Sequence, residues 1–322
     1  MSSIRAIVVD PSVTGRLAIK EVEAPQAGRS EALVQVEAIS LNRGEVNHAM
    51  ETEAGWRPGW DLAGTVIKQA ANNTGPKVGS RVVGMVIDAY TRVGAGAWAE
   101  QVAVPTNMLA EIPANVTFAQ AATLPVAGLT ALCAVQKGGL LLHKPVLITG
   151  STGGVGLFAH QLARQSGAYV VGTARDARNE ALVREAGADE VIVGDDISPA
   201  RVYGPYHLII DSVGGKTLAS ALSLLATGAT CLTLGWSASP EVTIDIRELI
   251  RTGRTTLYGL NMMEELNHHG GSKDLAWLAQ MVAKQQLKTS IEVEASWHEI
   301  GDVAQRLLQR QFTGKAVLHL RR

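Results

Sequence analysis

The chain is poor in cysteine: among its 322 residues only Cys133 and Cys231 carry a thiol. Two cysteines exclude a disulfide framework and a four-cysteine structural zinc site. The chain also lacks an excess of either charge. Its 29 Lys and Arg are balanced by 30 Asp and Glu, for a net charge of −1, so no broad cationic field exists to hold nucleic acid or an anionic membrane. Charge is scarce overall, at 18% of residues against 46% hydrophobic. That excludes a disordered chain and leaves ample apolar material for cores, enough at this length for about two domains. The opening MSSIRAIVVD has an acid at Asp10 and no apolar core of signal-peptide length. The sequence therefore reads as a soluble, cytoplasmic protein. Residues 112–136 carry no charge and imitate a membrane span. They include Pro113, Thr117, Gln120, Thr123, Pro125, Gly128 and Thr130, which suit lipid poorly, so the stretch reads as a buried helix between domains.

What is present falls into two rhythms. Over the first 110 residues short β-branched runs recur at 6–9, 32–36, 64–67 and 81–84, separated by turn formers such as Ala71-Asn72-Asn73-Thr74-Gly75-Pro76. Short strands with frequent turns predict a compact barrel-like β domain. From near residue 120 helical patterns alternate with apolar strands. Strands are expected at 146–149, 169–172, 190–193, 207–210 and 229–233, with helices ending near Gln165 and Glu185. Such alternation predicts a parallel sheet with helices on both faces. Two helical segments and a last strand at 316–320 close the chain.

The strongest local signal is Val146-Leu147-Ile148-Thr149-Gly150-Ser151-Thr152-Gly153-Gly154-Val155-Gly156. An apolar strand enters a glycine-rich turn and a helix leaves it. Glycines let backbone approach a pyrophosphate, and the helix N-terminus presents free N–H groups to it. Ser151 stands where the first Gly of G-x-G-x-x-G would be. Thr149-Gly150 with Gly154 and Gly156 also fits the T-G-x-x-x-G-x-G loop of short-chain dehydrogenases. Those enzymes carry the loop near the N-terminus and need Tyr-x-x-x-Lys, and none of the five tyrosines here has Lys four places on. Gly215-Lys216-Thr217 ends like a Walker loop, but Ile210 replaces its first Gly. The second strand runs into Thr173-Ala174-Arg175-Asp176. Ala174 occupies the position where an NAD site uses an acid, and the Arg175 guanidinium can grip a 2′-phosphate bidentately. This predicts NADPH, with Arg178 as a second cation and Asp176 as the alternative ribose acid. Candidate cofactor contacts here are Ser151, Thr152, Gly153, Gly154, Val155, Gly156, Thr173 and Arg175.

The order of motifs along nearly the whole chain resembles the medium-chain dehydrogenase/reductase superfamily, in its zinc-independent quinone oxidoreductase and enoyl reductase branch. The resemblance rests on Leu41-Asn42, on Gly59-Trp60-Asp61-Leu62-Ala63-Gly64-Thr65-Val66, and on Val78-Gly79-Ser80-Arg81-Val82. It continues through Gly96-Ala97-Trp98-Ala99-Glu100, Ala121-Ala122-Thr123-Leu124-Pro125 and Gly128-Leu129-Thr130-Ala131. The phosphate loop, Asp211-Ser212-Val213-Gly214-Gly215 and Thr313-Gly314-Lys315-Ala316-Val317-Leu318 complete it. The resemblance implies an α/β protein: a GroES-like β-rich barrel domain over 1–120 and 262–322, and a Rossmann doubly wound parallel-sheet domain over 121–261. It implies a homodimer joined largely through the nucleotide domain and a nicotinamide bound in the cleft between domains. By the same carry-over Asn42 and Thr130 would lie near the nicotinamide and its ribose. Gly153, Gly154 and Val155 would meet the pyrophosphate, and Ser212 and Gly235 would line the remaining path. Many relatives carry a Lys shortly after the second strand; here Asn179 stands there.

The zinc alcohol dehydrogenases use a Gly-His-Glu triplet whose His binds the metal. The matching triplet here is Gly59-Trp60-Asp61, and Leu41-Asn42-Arg43-Gly44-Glu45 supplies no cysteine. A catalytic zinc needs three protein ligands, and they cannot be assembled. His268 and His269, four residues after Glu264 and Glu265, read as a solvated helix end; His298-Glu299 lacks the second His of H-E-x-x-H. Without a Lewis acid, reduction of a quinone or an activated C=C is easier than oxidation of an alcohol, because the substrate's own carbonyl delocalises the charge. The expected activity is hydride transfer from NADPH to a quinone or an α,β-unsaturated carbonyl compound. A small-molecule substrate is thus the expected partner. Candidate catalytic residues are Asn42, His48 and Trp60, with Glu45 and solvent as other proton sources and Trp56 and Trp236 as further stacking walls. The alternative is a nucleotide-binding protein without turnover, a redox sensor or structural protein on the same fold.

Overall fold

The computed structural model describes residues 2–87 and 96–321. Tyr90 lies outside them. In chain order the first elements are β1 (Ser3–Val9), β2 (Leu17–Glu23), β3 (Glu31–Ser40), α1 (Arg43–Glu51), β4 (Asp61–Lys68), β5 (Arg81–Met85), β6 (Gln101–Pro105) and β7 (Leu109–Glu111). There follow α2 (Phe118–Ala122), a π-helical turn (Leu124–Gly128) and α3 (Leu129–Lys137). The next group is β8 (Pro145–Ile148), α4 (Gly154–Gln165), β9 (Tyr169–Ala174), α5 (Glu180–Glu185), β10 (Glu190–Val193), β11 (Tyr206–Asp211), α6 (Gly215–Leu222), β12 (Leu225–Thr233), α7 (Ile246–Thr252) and β13 (Thr256–Gly259). The chain closes with α8 (Met262–His269), α9 (Ser272–Ala283), β14 (Ile291–Ser296), α10 (Ile300–Leu308) and β15 (Lys315–His319).

The chain divides into two compact units, Met1–Leu129 with Met263–Arg322, and Thr130–Met262. In the first, β1 and β2 pair antiparallel, and a seven-stranded sheet runs β14-β15-β3-β4-β5-β7 with β6 also on β3. β3 is its hub. Val34, Val36 and Ala38 point into the core and the intervening Gln35 and Glu37 do not, the alternation of a strand with one buried face. The return of β15 to pair with β3 (Leu318 opposite Ile39) brings the C-terminal residues beside residues 40–42. That pairing is what places Lys315 at the site below.

The stretch 112–136 is not one helix. It breaks into α2, the π turn with Pro125 in its first turn, and α3, because proline removes a ladder donor and clashes with the preceding turn. No helix among the described residues is long and apolar enough to cross a membrane. α2 packs on β3, β4 and β5, so residues 121–129 belong with the first unit.

The second unit is a six-stranded sheet in the order β10-β9-β8-β11-β12-β13, and every pairing in it is parallel. This is the doubly wound order, in which chain direction across the sheet reverses between the first and fourth strands, here β8 and β11. Its core joins Leu147, Val171, Ile192, Ile209 and Cys231 to Leu218 and Leu222 of α6. α4 buries Leu157, Phe158, Leu162 and Ala163 on the sheet and carries His160 fully into the interior.

Candidate functional site

The glycine-rich loop leaves β8 beside β11, at the reversal point where open α/β sheets bind ligands. Gly150 opens it with φ +62°, and a Cβ there would fall within bonding range of Ser212 Oγ, at 2.1 Å. Only glycine makes this turn. Ser151, read as a replacement for a glycine, is wholly buried and shapes the loop. Its Oγ donates to Ile148 O at 2.8 Å and accepts from Thr173 N–H at 2.9 Å, tying the loop to β9. That tie consumes the Thr173 N–H as well. Thr152 is half-buried and Gly153 exposed.

Helix α4 starts at Gly154 with Gly153 as its N-cap and no side-chain cap. The helical ladder begins with Leu157 N–H donating to Gly153 O at 3.0 Å. The N–H groups of Gly154, Val155 and Gly156 therefore lie ahead of the ladder, the usual state of a helix start and the one that attracts anions. A Cβ on Gly153 would meet only Gly150 O, at 3.4 Å, so the glycine there is not demanded by the protein's own packing. These features fit a pyrophosphate.

Sequence reasoning missed Asp211 as part of this structure. Its carboxylate is fully buried at the end of β11, accepts from Thr149 Oγ1 at 2.5 Å and from Gly214 N–H at 2.9 Å, and so fastens β8 to the turn before α6. Burial pushes its pKa up while those donors pull it back. Ser212 Oγ donates to Thr149 O at 3.4 Å, and Gly235 lies against Ser212, with a built Cβ 3.1 Å from Ser212 O. Ser212 and Gly235 thus join the loop. Thr130 is buried near the start of α3, and Trp236 is 67% exposed.

At the end of β9, Ala174 is buried and Arg175 exposed. Arg175 makes no hydrogen bond or ion pair with a described residue; only its field reaches Asp176. Asp176 is engaged. It accepts from Arg178 N–H at 2.9 Å and from the Arg178 guanidinium at 2.5 and 2.9 Å, and Arg178 holds its carboxyl down at about 2. Asp176 therefore caps the turn Ala177–Asn179. Arg178 is drawn into the same pair.

The first unit holds a second cluster, at the start of α1. Asn42 is the N-cap, and Glu45 of the first turn folds back to accept Asn42 N–H at 2.6 Å. The other Glu45 oxygen accepts Trp60 N–H at 2.7 Å. Asp61 opens β4 and accepts Val126 N–H at 2.9 Å. Lys315 Nζ donates to Leu41 O at 2.9 Å, to Asn42 Oδ1 at 2.5 Å and to Asp61 at 3.4 Å. Glu45 and Asp61 are 0% exposed and Lys315 4%. Burial pushes Glu45 up to about 8, with the Asp61 charge adding to it, while Lys315 and Asn42 oppose the shift. Burial likewise raises Asp61 against the pull of Lys315, Asn42 and Val126. The Trp60 ring is buried and lies over Gly44, where a Cβ would come within 3.0 Å of it. His48 lies further along α1, its ring edge-on to Trp56 with centroids 4.7 Å apart. Sequence reading had Asn42, Glu45 and Trp60 in view; it gave no role to Asp61 or Lys315.

This donor set does not fit a catalytic zinc. Its two carboxylates already accept N–H bonds, an indole replaces the imidazole, and an ammonium sits among them. Among the described residues no group of three or more His, Cys, Asp or Glu could hold a metal ion. His268, His269 and His298 are exposed.

A family model described as zinc-binding dehydrogenase matches residues 154–284, and one described as alcohol dehydrogenase GroES-like domain matches residues 28–114. The chloroplastic quinone-oxidoreductase QR1 of Triphysaria versicolor is 36% identical over 204 residues, which span 59% of this chain and 60% of that protein. The match thus reaches less than two thirds of that relative's length. The chloroplastic quinone-oxidoreductase homolog of Spinacia oleracea is 26% identical over 315 residues, 92% of each chain. Among solved structures, mycobacterial Rv1454c complexed with NADPH superposes with a TM-score of 0.84 at 25% identity, covering 98% of this chain and 99% of that one.

Proposed function

We propose, on the premise that this chain belongs to the medium-chain dehydrogenase/reductase superfamily and to its quinone oxidoreductase branch, that it is a zinc-independent reductase using NADPH on quinones or α,β-unsaturated carbonyl compounds. The observation that carries the cofactor reading is the end of β9, where Arg175 is unengaged and Asp176 is consumed by Arg178. An NAD site wants a free carboxylate there, and a 2′-phosphate wants a free guanidinium. The bound NADPH of Rv1454c agrees with this reading.

In this reading the N–H groups of Gly154, Val155 and Gly156 hold the pyrophosphate, Gly153 leaves it room, and Arg175 grips the 2′-phosphate. Thr152, Ser212, Gly235 and Thr130 line the remaining path. When bound, NADPH supplies a hydride to a conjugated carbon of the substrate, whose own carbonyl takes up the charge. Asn42 contributes orientation and Trp60 an apolar face for a planar substrate. His48 and bulk water are the proton sources of this reading. Glu45 is not one, because it is wholly buried and accepts three N–H bonds. The enzyme is assigned as a cytoplasmic homodimer joined through the nucleotide-binding unit, although the two relatives named above are chloroplastic.

The test is NADPH oxidation against a panel of quinones, enones and enoyl thioesters, with NADH as control. Turnover of at least one class with NADPH and little with NADH is expected. Tight NADPH binding with no substrate-dependent loss of nicotinamide absorbance across the panel would overturn the enzymatic reading in favour of a non-catalytic nucleotide-binding protein.

A further inference from the structure

An arginine does not shed its charge inside a protein, so a buried one needs an anion or several carbonyl oxygens around it. The partly buried arginines of this chain have them. Arg16 donates to Thr52 O, Arg43 to Leu307 O and Leu308 O, and Arg81 to the carbonyls of Pro113, Ala114 and Val116, while Arg306 pairs with Asp302. Arg57 is the exception. It is the most buried arginine among the described residues, with 8% of its surface exposed, and among those residues no oxygen accepts from its guanidinium. Burial alone lowers its pKa, with no neighbouring charge contributing. Nε is the one nitrogen of the group that is both sealed from solvent and unpartnered. The two Nη groups therefore reach the surface, and the end of the fork stays open to a ligand.

The backbone that carries Arg57 is fixed on both sides. Trp56 O accepts from Val9 N–H at 2.8 Å, Pro58 O from Trp98 N–H at 3.2 Å and Gly59 O from Ala97 N–H at 2.9 Å. Gly96 packs so closely that a Cβ on it would come within 2.1 Å of Arg57 O. The neighbouring side chains reach α1: the Trp56 ring lies edge-on to His48, and Trp60 lies over Gly44. We propose that Arg57 is an anion-binding residue of the first unit, its guanidinium held in the fold without a counter-ion so that the carboxylate or phosphate oxygens of a small-molecule ligand complete it. The two Nη groups take such a group bidentately, through parallel N–H···O bonds. Assigned to the substrate, the site selects an activated C=C compound that carries an acidic group over an uncharged quinone. That assignment rests on the reading of the protein as a reductase; the anion site itself does not.

The apo protein decides whether the charge is unpaired. Removing a buried cation that has no counter-ion relieves a desolvation cost, so Arg57→Met should melt above the wild type by about 2–6 °C. Acetate or inorganic phosphate, matched in ionic strength against chloride, should raise Tm of the wild type more than that of Arg57→Met. The difference between the two proteins removes the effect of anions bound elsewhere, at the glycine-rich loop included. Arg57→Lys keeps the charge without the fork and should respond to both anions less than the wild type. A Tm of Arg57→Met below the wild type, failure to fold included, would show that the fold itself holds the guanidinium and would overturn the site. Equal anion shifts in wild type and Arg57→Met overturn it as well.

The source of the anion is read from matched substrates with NADPH: an enone with and without a carboxylate, and an enoyl thioester of 4′-phosphopantetheine against the thioester of pantetheine itself. One bidentate pair should lower KM by about ten- to a hundredfold for the member that carries the recognised group, and Arg57→Met should erase that preference. A preference in the first pair alone assigns a substrate carboxylate, in the second alone a substrate phosphate, and in both their shared oxyanion. If neither pair shows a preference that Arg57→Met removes, the assignment to the substrate is overturned. An anion response of the apo protein with no turnover of any substrate would refute the reductase reading and leave the anion site standing.

Discussion

Alanine at two glycines of one loop should have opposite consequences. Gly153 has φ −81° and ψ 165°, ordinary values for any residue, and a methyl group there meets only Gly150 O at 3.4 Å. Losing glycine at an N-cap costs about 1 kcal/mol, and the reduced freedom of the unfolded chain offsets about 0.4–1 kcal/mol of it. Gly153→Ala should therefore melt close to the wild type. In the proposed binding mode, however, its methyl group would stand at the helix start that receives the pyrophosphate. Forfeiting one charge-assisted hydrogen bond is worth about 1.5–3 kcal/mol, roughly ten- to a hundredfold in affinity. Gly156 is the reverse case. A Cβ there would lie 2.5 Å from Gly150 O and 2.7 Å from Ser151 Cα, both backbone atoms that cannot swing aside. Overpacking at the upper end, about 3 kcal/mol, less about 1 kcal/mol of helix propensity, leaves about 2 kcal/mol. At about 2.1 cal/mol/K of unfolding entropy per residue, that lowers Tm of the 322-residue chain by about 3 °C. Calorimetry and fluorescence titration with NADPH read the two effects separately. If Gly153→Ala binds NADPH as tightly as wild type, the pyrophosphate does not lie over α4. If Gly156→Ala melts with the wild type, the close approach of helix and loop is misdrawn.

Arg175→Ala should weaken NADPH by about ten- to a hundredfold and leave NADH nearly unchanged; equal weakening of both would mean that Arg175 does not read the 2′-phosphate. The purified protein should hold no stoichiometric zinc and should keep its activity under chelators; near one zinc per chain by elemental analysis would sink this. His160 is fully buried with neither ring nitrogen hydrogen-bonded, and burial lowers its pKa to about 3. The unfolded chain takes up that proton near pH 6.5 and the native chain only near 3, so below pH 6.5 the unfolded state binds more protons and His160 should make stability fall by about 1.4 kcal/mol per pH unit. Denaturant midpoints of wild type and His160→Leu should diverge below pH 6.5; parallel curves would show that the ring has a partner.

The two-part architecture was legible because each half writes its period into the sequence. Runs such as Val34-Gln35-Val36 alternate, and Val146-Leu147-Ile148 is a solid apolar run ahead of a glycine loop, which marks a strand buried on both faces. Five strands escaped notice, β2, β6, β7, β13 and β14, of which β6 does alternate, with Val102 and Val104 buried. β2, Leu17–Glu23, has one fully buried residue, and β13, Thr256–Gly259, has none. Neither carries enough apolar contrast to stand out from a loop. The break in 112–136 was foreshadowed by Pro125, yet the uninterrupted lack of charge reads as one helix because burial and helicity leave the same mark. At the loop, sequence spacing gave the glycines and Ser151. Asp211, which holds the loop's base through Thr149, sits at the end of a strand some sixty residues on; its motif Asp211-Ser212-Val213-Gly214-Gly215 stood out, but no local pattern linked it to Thr149.

The same limit explains the cluster around Asn42. Glu45 follows Asn42 by three residues, a spacing that local rules can read as a helix start. Asp61 and Lys315 reach it only through the β3–β4 and β15–β3 pairings, in which Ser40 lies opposite both Asp61 and Val317. No local pattern encodes those meetings, since register is set by the burial of whole strands. The composition of the cluster is nonetheless forced once the strands meet. Burial holds Glu45 near 8, so the carboxyl that calls for a counter-charge is Asp61, and Lys315 on the third strand supplies it. Lysine fits where Leu41 O, Asn42 Oδ1 and Asp61 converge on one point, because an ammonium offers its three donors from a single atom and a planar guanidinium does not. A Lys315→Arg substitution should therefore keep the charge and lose the convergence. It is expected to fold with a lower Tm than the wild type and to release the Asn42 amide to solvent exchange. Full protection of that amide in Lys315→Arg would mean that charge alone, without the geometry of the ammonium, holds Asn42 in place.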